Sequence, residues 1–257
     1  MQIEVKLDDY EDRGFVAQIT VDYQERVNIL NSELIGQLIS ALNSLTNNEQ
    51  LRVLILTGAG DGAFIGGADV REMVELNKTS SKSFITRLHE ACDVLRSIPV
   101  PVIARISGYC LGAGLEIAAS CDLRIAADHS IFGMPEVRVG IPSVIEAAIL
   151  PRLIGWGKAA ELVYTGESIS AQEALACGLI ERSVPACQLD AAVDRWTSAI
   201  LEAGPRAVRL QKRLLREWER LRLDQAIERG IDVFAEAYET GEPKVFMRRF
   251  LNRRSVP

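Results

Sequence analysis

The chain has 257 residues, of which 48% are hydrophobic and 25% charged, and its formal net charge is −6. This composition is typical of a soluble globular protein built on one large domain, and the negative charge argues against nucleic acid or an anionic membrane as the main partner. The five cysteines form no CxxC or Cys/His cluster, so we expect reduced thiols and no metal site. The start lacks an apolar signal core and no apolar run reaches membrane-helix length, which predicts a cytoplasmic protein.

Strands and helices alternate in the first half of the chain. The strand patterns cover residues 16–21, 53–56, 102–106 and 123–126. Between them, apolar residues at helical spacing predict helices over residues 32–45, with Ser32 as the N-cap, and over residues 83–97. Strands that return through helices imply right-handed crossovers and a largely parallel sheet, so the predicted class is α/β.

Helical patterns dominate beyond about residue 145, and the only later strand candidate is residues 179–184. The predicted helices are residues 147–153, 159–164, 171–177, 189–203, 206–221, 225–238 and 244–253. We therefore divide the chain into a core, residues 1–190, and a helical C-terminal region, residues 191–257.

Two glycine-rich turns stand out, and each precedes a predicted helix. Residues 58–67 follow an apolar strand, but their GxGxG spacing does not match the dinucleotide-binding GxGxxG turn. One turn, residues 66–69, lies at the end of that loop, and the other, residues 112–114, lies further along the chain. Both carry small residues that permit close approach of a ligand to the backbone. Two free N–H groups from two such turns are what an oxyanion hole for a thioester carbonyl requires.

Two glutamates accompany these turns. Residues 107–116 form a glycine-rich segment that we interpret as a turn rather than a strand and that places Glu116 just inside an apolar helix, residues 115–119; Glu136 follows twenty positions later. Carboxylates beside free N–H groups supply proton transfer next to a stabilised oxyanion, and the proton donor of such a pair needs a raised pKa. His89 and His129 fall in no motif, so we expect them to be structural or surface groups.

The segments at residues 27–31, 62–69, 108–116 and 132–136, in this order and followed by a helical tail, closely resemble the crotonase superfamily, the enoyl-CoA hydratase/isomerase group. The resemblance covers nearly the whole chain. It implies a spiral of repeated ββα units with two nearly perpendicular sheets, and a helical C-terminal region that builds trimers, often paired as hexamers. It implies no cofactor besides the coenzyme A carried by the substrate.

The resemblance also implies a set of site residues. The thioester oxygen would lie between the backbone N–H groups of Ala68 and Ala113. Glu116 and Glu136 match the two family glutamates, of which one activates water for attack at C3 and the other handles the proton delivered to C2. The implied contacts to substrate and coenzyme A are Arg26, Val27, Ile29, Gly66, Ala68, Asp69, Val70 and Gly112.

The chain departs from the family pattern in two places. Ala113 stands where many members have glycine, but its N–H is retained. Residues 143–148 replace a glycine-rich stretch with bulkier residues and a third carboxylate. One hypothesis is that Ile145 or Glu146 reshapes the acyl end of the pocket and favours a short or unusual acyl group; the alternative is that both face the core.

The leading functional prediction is an enoyl-CoA hydratase-like lyase. A Δ3–Δ2 enoyl-CoA isomerase is the nearest alternative, because the fold and the oxyanion hole do not by themselves set the reaction. The third alternative is a non-catalytic relative that binds acyl-CoA or associates with RNA. The presence of both glutamates favours hydration, and the negative charge argues against RNA.

Overall fold

The computed structural model describes residues 1–253, which form two β-sheets and ten α-helices. The larger sheet has six strands in the order β1-β2-β3-β5-β7-β10. These strands are β1 (Gln2–Asp9), β2 (Phe15–Asp22), β3 (Leu51–Gly58), β5 (Val102–Ile106), β7 (Leu123–Ala127) and β10 (Arg182–Val184). The smaller sheet has four strands in the order β4-β6-β8-β9. These are β4 (Ala63–Ile65), β6 (Tyr109–Leu111), β8 (Ile131–Gly133) and β9 (Ser168–Ser170).

The helices connect the strands through the first half of the chain and follow one another at its end. They are α1 (Ser32–Thr46), α2 (Val70–Met73), α3 (Lys78–Ser97), α4 (Ala113–Ser120), α5 (Leu150–Thr165), α6 (Ala171–Ala176), α7 (Leu189–Glu202), α8 (Pro205–Trp218), α9 (Leu223–Ala237) and α10 (Glu242–Arg253). Among the described helices, none is both long and apolar enough to cross a membrane.

The larger sheet confirms the predicted parallel arrangement. Strands β2, β3, β5, β7 and β10 pair in parallel, and only β1 runs antiparallel, at the edge. Every residue of β3 is buried because helices cover both faces of the sheet. Leu54 lies in the main core with α1, α3 and α4, whereas Val53 lies on the opposite face with residues of α7.

Helix starts are set by asparagine side chains rather than by the predicted serine. The Asn31 side chain accepts a hydrogen bond from Leu34 N at 2.9 Å and is the N-cap of α1, so the assignment of Ser32 was wrong by one residue. Ser32 N instead donates to Glu72 Oε2 at 2.8 Å, which ties α1 to α2. Helix α3 begins at Lys78, earlier than predicted, because Asn77 and Ser80 form a capping box.

The smaller sheet corrects the prediction that residues 107–116 form a turn without a strand. Tyr109–Leu111 is strand β6, which pairs in parallel with β4 on one side and β8 on the other. The later strand predicted over residues 179–184 is confined to Arg182–Val184, and Ser168–Ser170 is a second late strand. Because β4 and β6 are parallel neighbours, the turns that follow them leave the sheet at the same edge.

Helix α7 belongs to the packing of the larger sheet. Its residues Leu189, Val193 and Leu201 are buried against that sheet together with Ile103 and Ile125. The division of the chain at residue 190 therefore falls at the start of a helix that packs on the core, and this division stays a proposal. Residues 254–257 of the predicted C-terminal region lie outside the described residues.

Candidate active site

Two backbone turns meet at the edge of the smaller sheet. The turn after β4 contains Gly67, and the turn after β6 contains Gly112; a Cβ added at Gly67 would lie 3.5 Å from Leu111 O. A Cβ added at Gly114 would lie 2.1 Å from Ile65 O, so only glycine permits this closeness of α4 to β4. The two glycine-rich motifs of the sequence are thus brought into contact.

The Ala68 N–H points away from its neighbouring strand. Leu30 pairs with Ala68 in an isolated parallel bridge, in which Leu30 N donates to Gly67 O and Asp69 N donates to Leu30 O, both at 2.8 Å. Leu30 thus uses the Gly67 carbonyl and the Asp69 N–H, which point toward it. Backbone groups alternate in direction along an extended chain, so the Ala68 N–H points away from Leu30. That side is the cavity, which Ala68 lines.

The Ala113 N–H is free for a different reason. Ala113 is the first residue of α4, and the first hydrogen bond of that helix runs from Glu116 N to Gly112 O at 3.0 Å. The N–H groups before this bond have no partner within the helix. Gly112 turns the chain at φ 52° and ψ −120°, a conformation that favours glycine, and both Gly112 and Ala113 line the same cavity.

Glu116 reaches this cavity from within a buried helix. All eight residues of α4 are buried, and Glu116 itself is 4% exposed. Its Oε1 accepts a hydrogen bond from Ala147 N at 3.1 Å. Burial, with smaller contributions from the charges of Glu136 and Glu146, raises the pKa of Glu116 to about 9, although the Ala147 N–H acts in the opposite direction. The side chain is therefore protonated at neutral pH in the unliganded site.

Glu136 reaches the same cavity from the opposite wall. It lies in the short 3-10 helix Pro135–Val139 and is partly exposed. The Ser143 hydroxyl donates to its Oε2 at 2.8 Å. A Cβ added at Gly112 would lie 2.6 Å from its Oε1, so this carboxylate packs directly against the turn that precedes Ala113. The structure thus brings both predicted glutamates to one cavity with both predicted N–H groups.

The cavity has a volume of about 660 Å³ and walls that are mostly apolar. Apart from Val70, sequence reasoning did not assign its outer walls. These walls come from α2, α3, the link between them and the segment after Glu136, and consist of Val70, Met73, Leu76, Phe84, Ile85, Leu88, Val139, Ile141, Pro142 and Val144. Phe84 and Leu88 belong to the apolar face that predicts the helix over residues 83–97, and helical periodicity alone does not separate a cavity wall from a core. Lys82 and Arg138 add two cationic side chains to the lining.

The predicted substrate and coenzyme A contacts divide into two groups. Gly66, Ala68, Val70 and Gly112 line the cavity. The other four do not. Val27 backs the lining, because its carbonyl accepts from Gly66 N at 2.9 Å, and Arg26 stacks its guanidinium over Tyr23 at 5.8 Å.

The last two predicted contacts also lie outside the lining. Asp69 caps α2 by accepting from Arg71 N at 2.9 Å. Ile29 is partly buried beside the Leu30 bridge, and its N–H donates to Arg26 O at 3.1 Å. These two residues shape the turn around Ala68 rather than the cavity wall.

The third carboxylate, Glu146, does not line the cavity, and neither does Ile145; Val144 is the member of this segment that does. The structure therefore favours the alternative in which both residues pack behind the wall. His89, expected to be structural, lies beside this carboxylate, with Nδ1 2.9 Å from Glu146 Oε1. His129 lies elsewhere, 3.4 Å from the Ser107 hydroxyl. Among the described residues no cluster of His, Cys, Asp and Glu has the arrangement of a metal site.

Comparison with known proteins gives a consistent result. Residues 11–257 match the family described as enoyl-CoA hydratase/isomerase. A short-chain-enoyl-CoA hydratase of Clostridium acetobutylicum is 34% identical over 247 residues, which are 96% of this chain and 95% of the relative. A crotonyl-CoA hydratase of Syntrophomonas wolfei is 33% identical over 242 residues, 94% of this chain and 93% of the relative.

Solved structures agree in fold as well as in sequence. The crystal structure of an enoyl-CoA hydratase from Bacillus anthracis superposes with a TM-score of 0.91 at 31% identity, covering 97% of this chain and 96% of the other. The mixed α/β architecture, with its parallel sheet, is thus the crotonase fold expected from the sequence. With a family match over nearly its whole length and relatives above 30% identity, this chain belongs to the enoyl-CoA hydratase/isomerase family of the crotonase superfamily.

Proposed function

We propose that the protein is an enoyl-CoA hydratase that adds water across the C2=C3 bond of a 2-enoyl-CoA thioester, and catalyses the reverse dehydration. The observation that carries the proposal is the meeting of Glu116, Glu136, Ala68 and Ala113 at one largely apolar cavity. The printed names of the relatives, a short-chain-enoyl-CoA hydratase and a crotonyl-CoA hydratase, support the same reaction.

In this proposal the Ala68 and Ala113 N–H groups bind the thioester oxygen. Attack of water at C3 moves the C2=C3 electron pair toward that oxygen and forms an enolate. Two preorganised donors stabilise the developing negative charge, and loss of one donor of this kind costs about 3 kcal/mol in comparable sites. Both donors belong to the backbone, so substitution of a side chain does not remove them and Ala113 serves as well as glycine.

The two carboxyl groups carry the protons. One accepts a proton from the attacking water as its oxygen bonds to C3, and the other gives a proton to C2 as the enolate collapses. The net change is the addition of one water, and the two acids together hold the same number of protons before and after. The free site already holds a proton on Glu116, because burial raises its pKa to about 9.

The substrate class follows from the cavity and the family. The apolar wall formed by residues such as Phe84, Leu88 and Val144 suits an acyl chain, and Lys82 and Arg138 suit the anionic phosphates of coenzyme A. The reaction requires no redox or metal chemistry, so we propose coenzyme A, as part of the substrate, as the only cofactor group. The free cysteines of the described chain support a reducing, cytoplasmic location.

We also propose a trimer, alone or paired as a hexamer, assembled through the C-terminal helices. An apolar stripe of α9 supports this assembly, because its large side chains are exposed in the isolated chain. The exposed fractions are 78% for Leu223, 58% for Ile227, 66% for Ile231 and 66% for Phe234.

The test follows the conjugated-thioester absorbance of crotonyl-CoA with wild type, Glu116→Gln and Glu136→Gln. We expect the wild type to hydrate the substrate and each variant to lose about 100-fold or more in kcat, because each removes one proton-transfer group while preserving shape. Wild-type inactivity on crotonyl-CoA, with 3-enoyl-CoA isomerisation lost in only one variant, would contradict hydration and indicate the isomerase.

A further inference from the structure

Behind Glu116 lies a second ionisable pair that the proposed reaction does not use. Glu146 belongs to the short 3-10 helix Ile145–Ile149, and its side chain is only 8% exposed. Its Oε1 lies 2.9 Å from Nδ1 of His89, which projects from α3 with half of its side chain in solvent. The pair therefore joins a buried carboxylate to the surface through an imidazole.

The same short helix binds Glu116 directly. Ala147, the residue after Glu146, donates its N–H to Glu116 Oε1 at 3.1 Å. The backbone at Ile145 adopts φ 39°, a left-handed conformation that costs free energy for a branched side chain. A strained turn keeps its geometry only where other contacts hold it, and the His89 contact to Glu146 is one such contact.

The second oxygen of Glu146 is unusual. Within the described residues, Glu146 Oε2 is buried and has no hydrogen-bond partner. In the described part of the chain, the only compensation for its burial is the weak S–H donor of Cys92, whose hydrogen bond to the Glu146 carboxyl group helps to raise the pKa of that thiol, so the position of this oxygen beside an active site calls for a function. The groups that feel its charge are Glu116 and the buried thiol of Cys92, one helical turn after His89 on α3.

We propose that Glu146, held by His89, is a positioning residue for Glu116: it fixes the turn that binds Glu116 and places a negative charge behind that carboxyl group. The inference rests on the proposed function only in that Glu116 transfers a proton. A like charge behind Glu116 disfavours its ionisation, so the proton stays on Glu116 until substrate arrives. Beyond the effect of burial, Glu146 in residues 143–148, which replace a glycine-rich stretch, thus helps to raise the pKa of Glu116.

The elements that pack against α4 or line the cavity carry few other titratable groups near Glu116. Glu136 approaches from the 3-10 helix Pro135–Val139, and its charge acts in the same direction as that of Glu146. Helix α3 contributes His89 and Cys92, whose thiol is neutral because burial raises its pKa well above the usual value. Strand β6 contributes Cys110, also neutral by burial, and the exposed phenol of Tyr109, while β4 carries only apolar residues.

The first test measures the titration of Glu116 itself by NMR of isotope-labelled glutamate carboxyl carbons, with the Glu116 signal assigned by its absence in Glu116→Gln. In Glu146→Gln, which removes the carboxylate and keeps the shape, we expect the Glu116 midpoint to move to lower pH, because a like charge that raises the pKa of Glu116 is lost. Glu90→Gln is the matched control, because Glu90 is an exposed carboxylate next to His89 in the sequence. In this variant the Glu116 midpoint should equal that of wild type.

The kcat/KM profile gives a second readout on crotonyl-CoA. The limb that reports Glu116 should move to lower pH in Glu146→Gln by the same amount as the NMR midpoint, because removing a like charge favours the ionised form. In His89→Ala we expect kcat to fall about tenfold with KM unchanged, since the acid is misplaced and the acyl contacts remain. His89→Gln, whose amide N–H replaces the lost donor, should recover most of this loss.

The outcomes separate this inference from the proposed function. An unmoved Glu116 midpoint in Glu146→Gln overturns the inference, whether or not the protein hydrates crotonyl-CoA. Complete inactivity of wild type overturns the proposed function and leaves the NMR comparison valid. A merely structural role for Glu146 would lower the melting temperature without moving the midpoint, which also counts against the inference. Should Glu146→Gln not fold, Glu146→Leu removes the buried charge and is subjected to the same titration.

Discussion

Glycine at position 112 is required both by backbone conformation and by the carboxylate beside it. Its φ of 52° disfavours any residue with a Cβ, and the added atom would lie 2.6 Å from Glu136 Oε1. The carboxylate therefore occupies the space that a side chain at this position would need. Gly140 also has a positive φ, 82°, but its ψ of 18° places it in the left-handed helical region, whereas Gly112 has a ψ of −120°; nothing lies within 4 Å of a Cβ added at Gly140.

We expect Gly112→Ala to lose both stability and activity. The strained backbone should cost about 1–3 kcal/mol of unfolding free energy, and displacement of Glu136 should reduce kcat about 100-fold. Gly140→Ala is the control, because it introduces a Cβ at a positive φ without the contact to Glu136; the left-handed helical region tolerates a Cβ better, so this variant should lose less stability and keep its activity relative to wild type. Urea unfolding and crotonyl-CoA hydration measure the two effects, and equal loss of kcat in both variants would refute the role of the Glu136 contact.

At the scale of elements, buried cations join the C-terminal helices to the sheet. Lys212 of α8 is 5% exposed and donates to Leu95 O at 3.2 Å, to Val100 O at 2.8 Å and to Asp122 Oδ2 at 2.7 Å. Burial lowers its pKa, while Asp122 acts in the opposite direction. Arg209, one turn earlier, donates to three backbone carbonyls in residues 48–51.

We expect Lys212→Met to destabilise the protein by about 3 kcal/mol or more. The substitution keeps the length of the side chain but leaves Asp122 without its cation and two carbonyls without a donor. Lys244→Met, at an exposed position of α10, is the matched control and should change stability by less than about 0.5 kcal/mol. Urea unfolding at one fixed protein concentration makes the comparison; similar midpoints for the two variants would contradict the buried-pair argument.

The elements differ in how well the sequence predicts them. The long apolar strands and amphipathic helices carry enough residues to establish a period, and they appear where expected. The whole smaller sheet escaped the residue patterns, because each strand has three residues and Ser168–Ser170 is mostly polar. Only the family resemblance pointed to a second sheet.

Sequence predicts side-chain chemistry better than backbone chemistry. Glu116 and Glu136 could be chosen as acids in advance, and the structure places both at one cavity. The Ala147 N–H that binds Glu116 has no signature in the sequence, since every residue except proline carries such a donor. The position of Glu146 behind the cavity wall likewise depends on the left-handed backbone conformation at Ile145. A branched residue rarely adopts this conformation, so the sequence does not predict it.

At the scale of the whole molecule, the isolated chain leaves much apolar surface on its last helices. The stripe of α9 that includes Ile227, Ile231 and Phe234 lies on the outside of the described fold. Covering such a stripe with a second copy removes it from water, at a gain of about 25 cal/mol per Å² of apolar area. The proposed assembly would therefore also remove the largest exposed apolar stripe of α9 from water.

We expect Ile231→Glu to lower the mass of the assembly, because a carboxylate in an apolar contact between copies is strongly unfavourable. Light scattering after size-exclusion chromatography should give a trimer or hexamer for wild type and a smaller species for the variant. Gln225→Glu adds the same charge to an exposed position of the same helix and should leave the mass unchanged. A monomeric wild type would refute the assembly, and an unchanged Ile231→Glu mass would place the contact elsewhere.

The complete burial of α4 has a consequence for motion. A helix with no solvent-facing residue opens only when the core around it opens, so the amide protons that are hydrogen-bonded within α4, from Glu116 onward, should exchange at the slowest, global rate. A substrate as large as an acyl-CoA must then enter from the side of the cavity where Val139, Ile141 and Val144 are exposed. The cavity thus has a fully buried side that carries Glu116 and the Ala113 N–H, and a partly exposed side that carries Glu136.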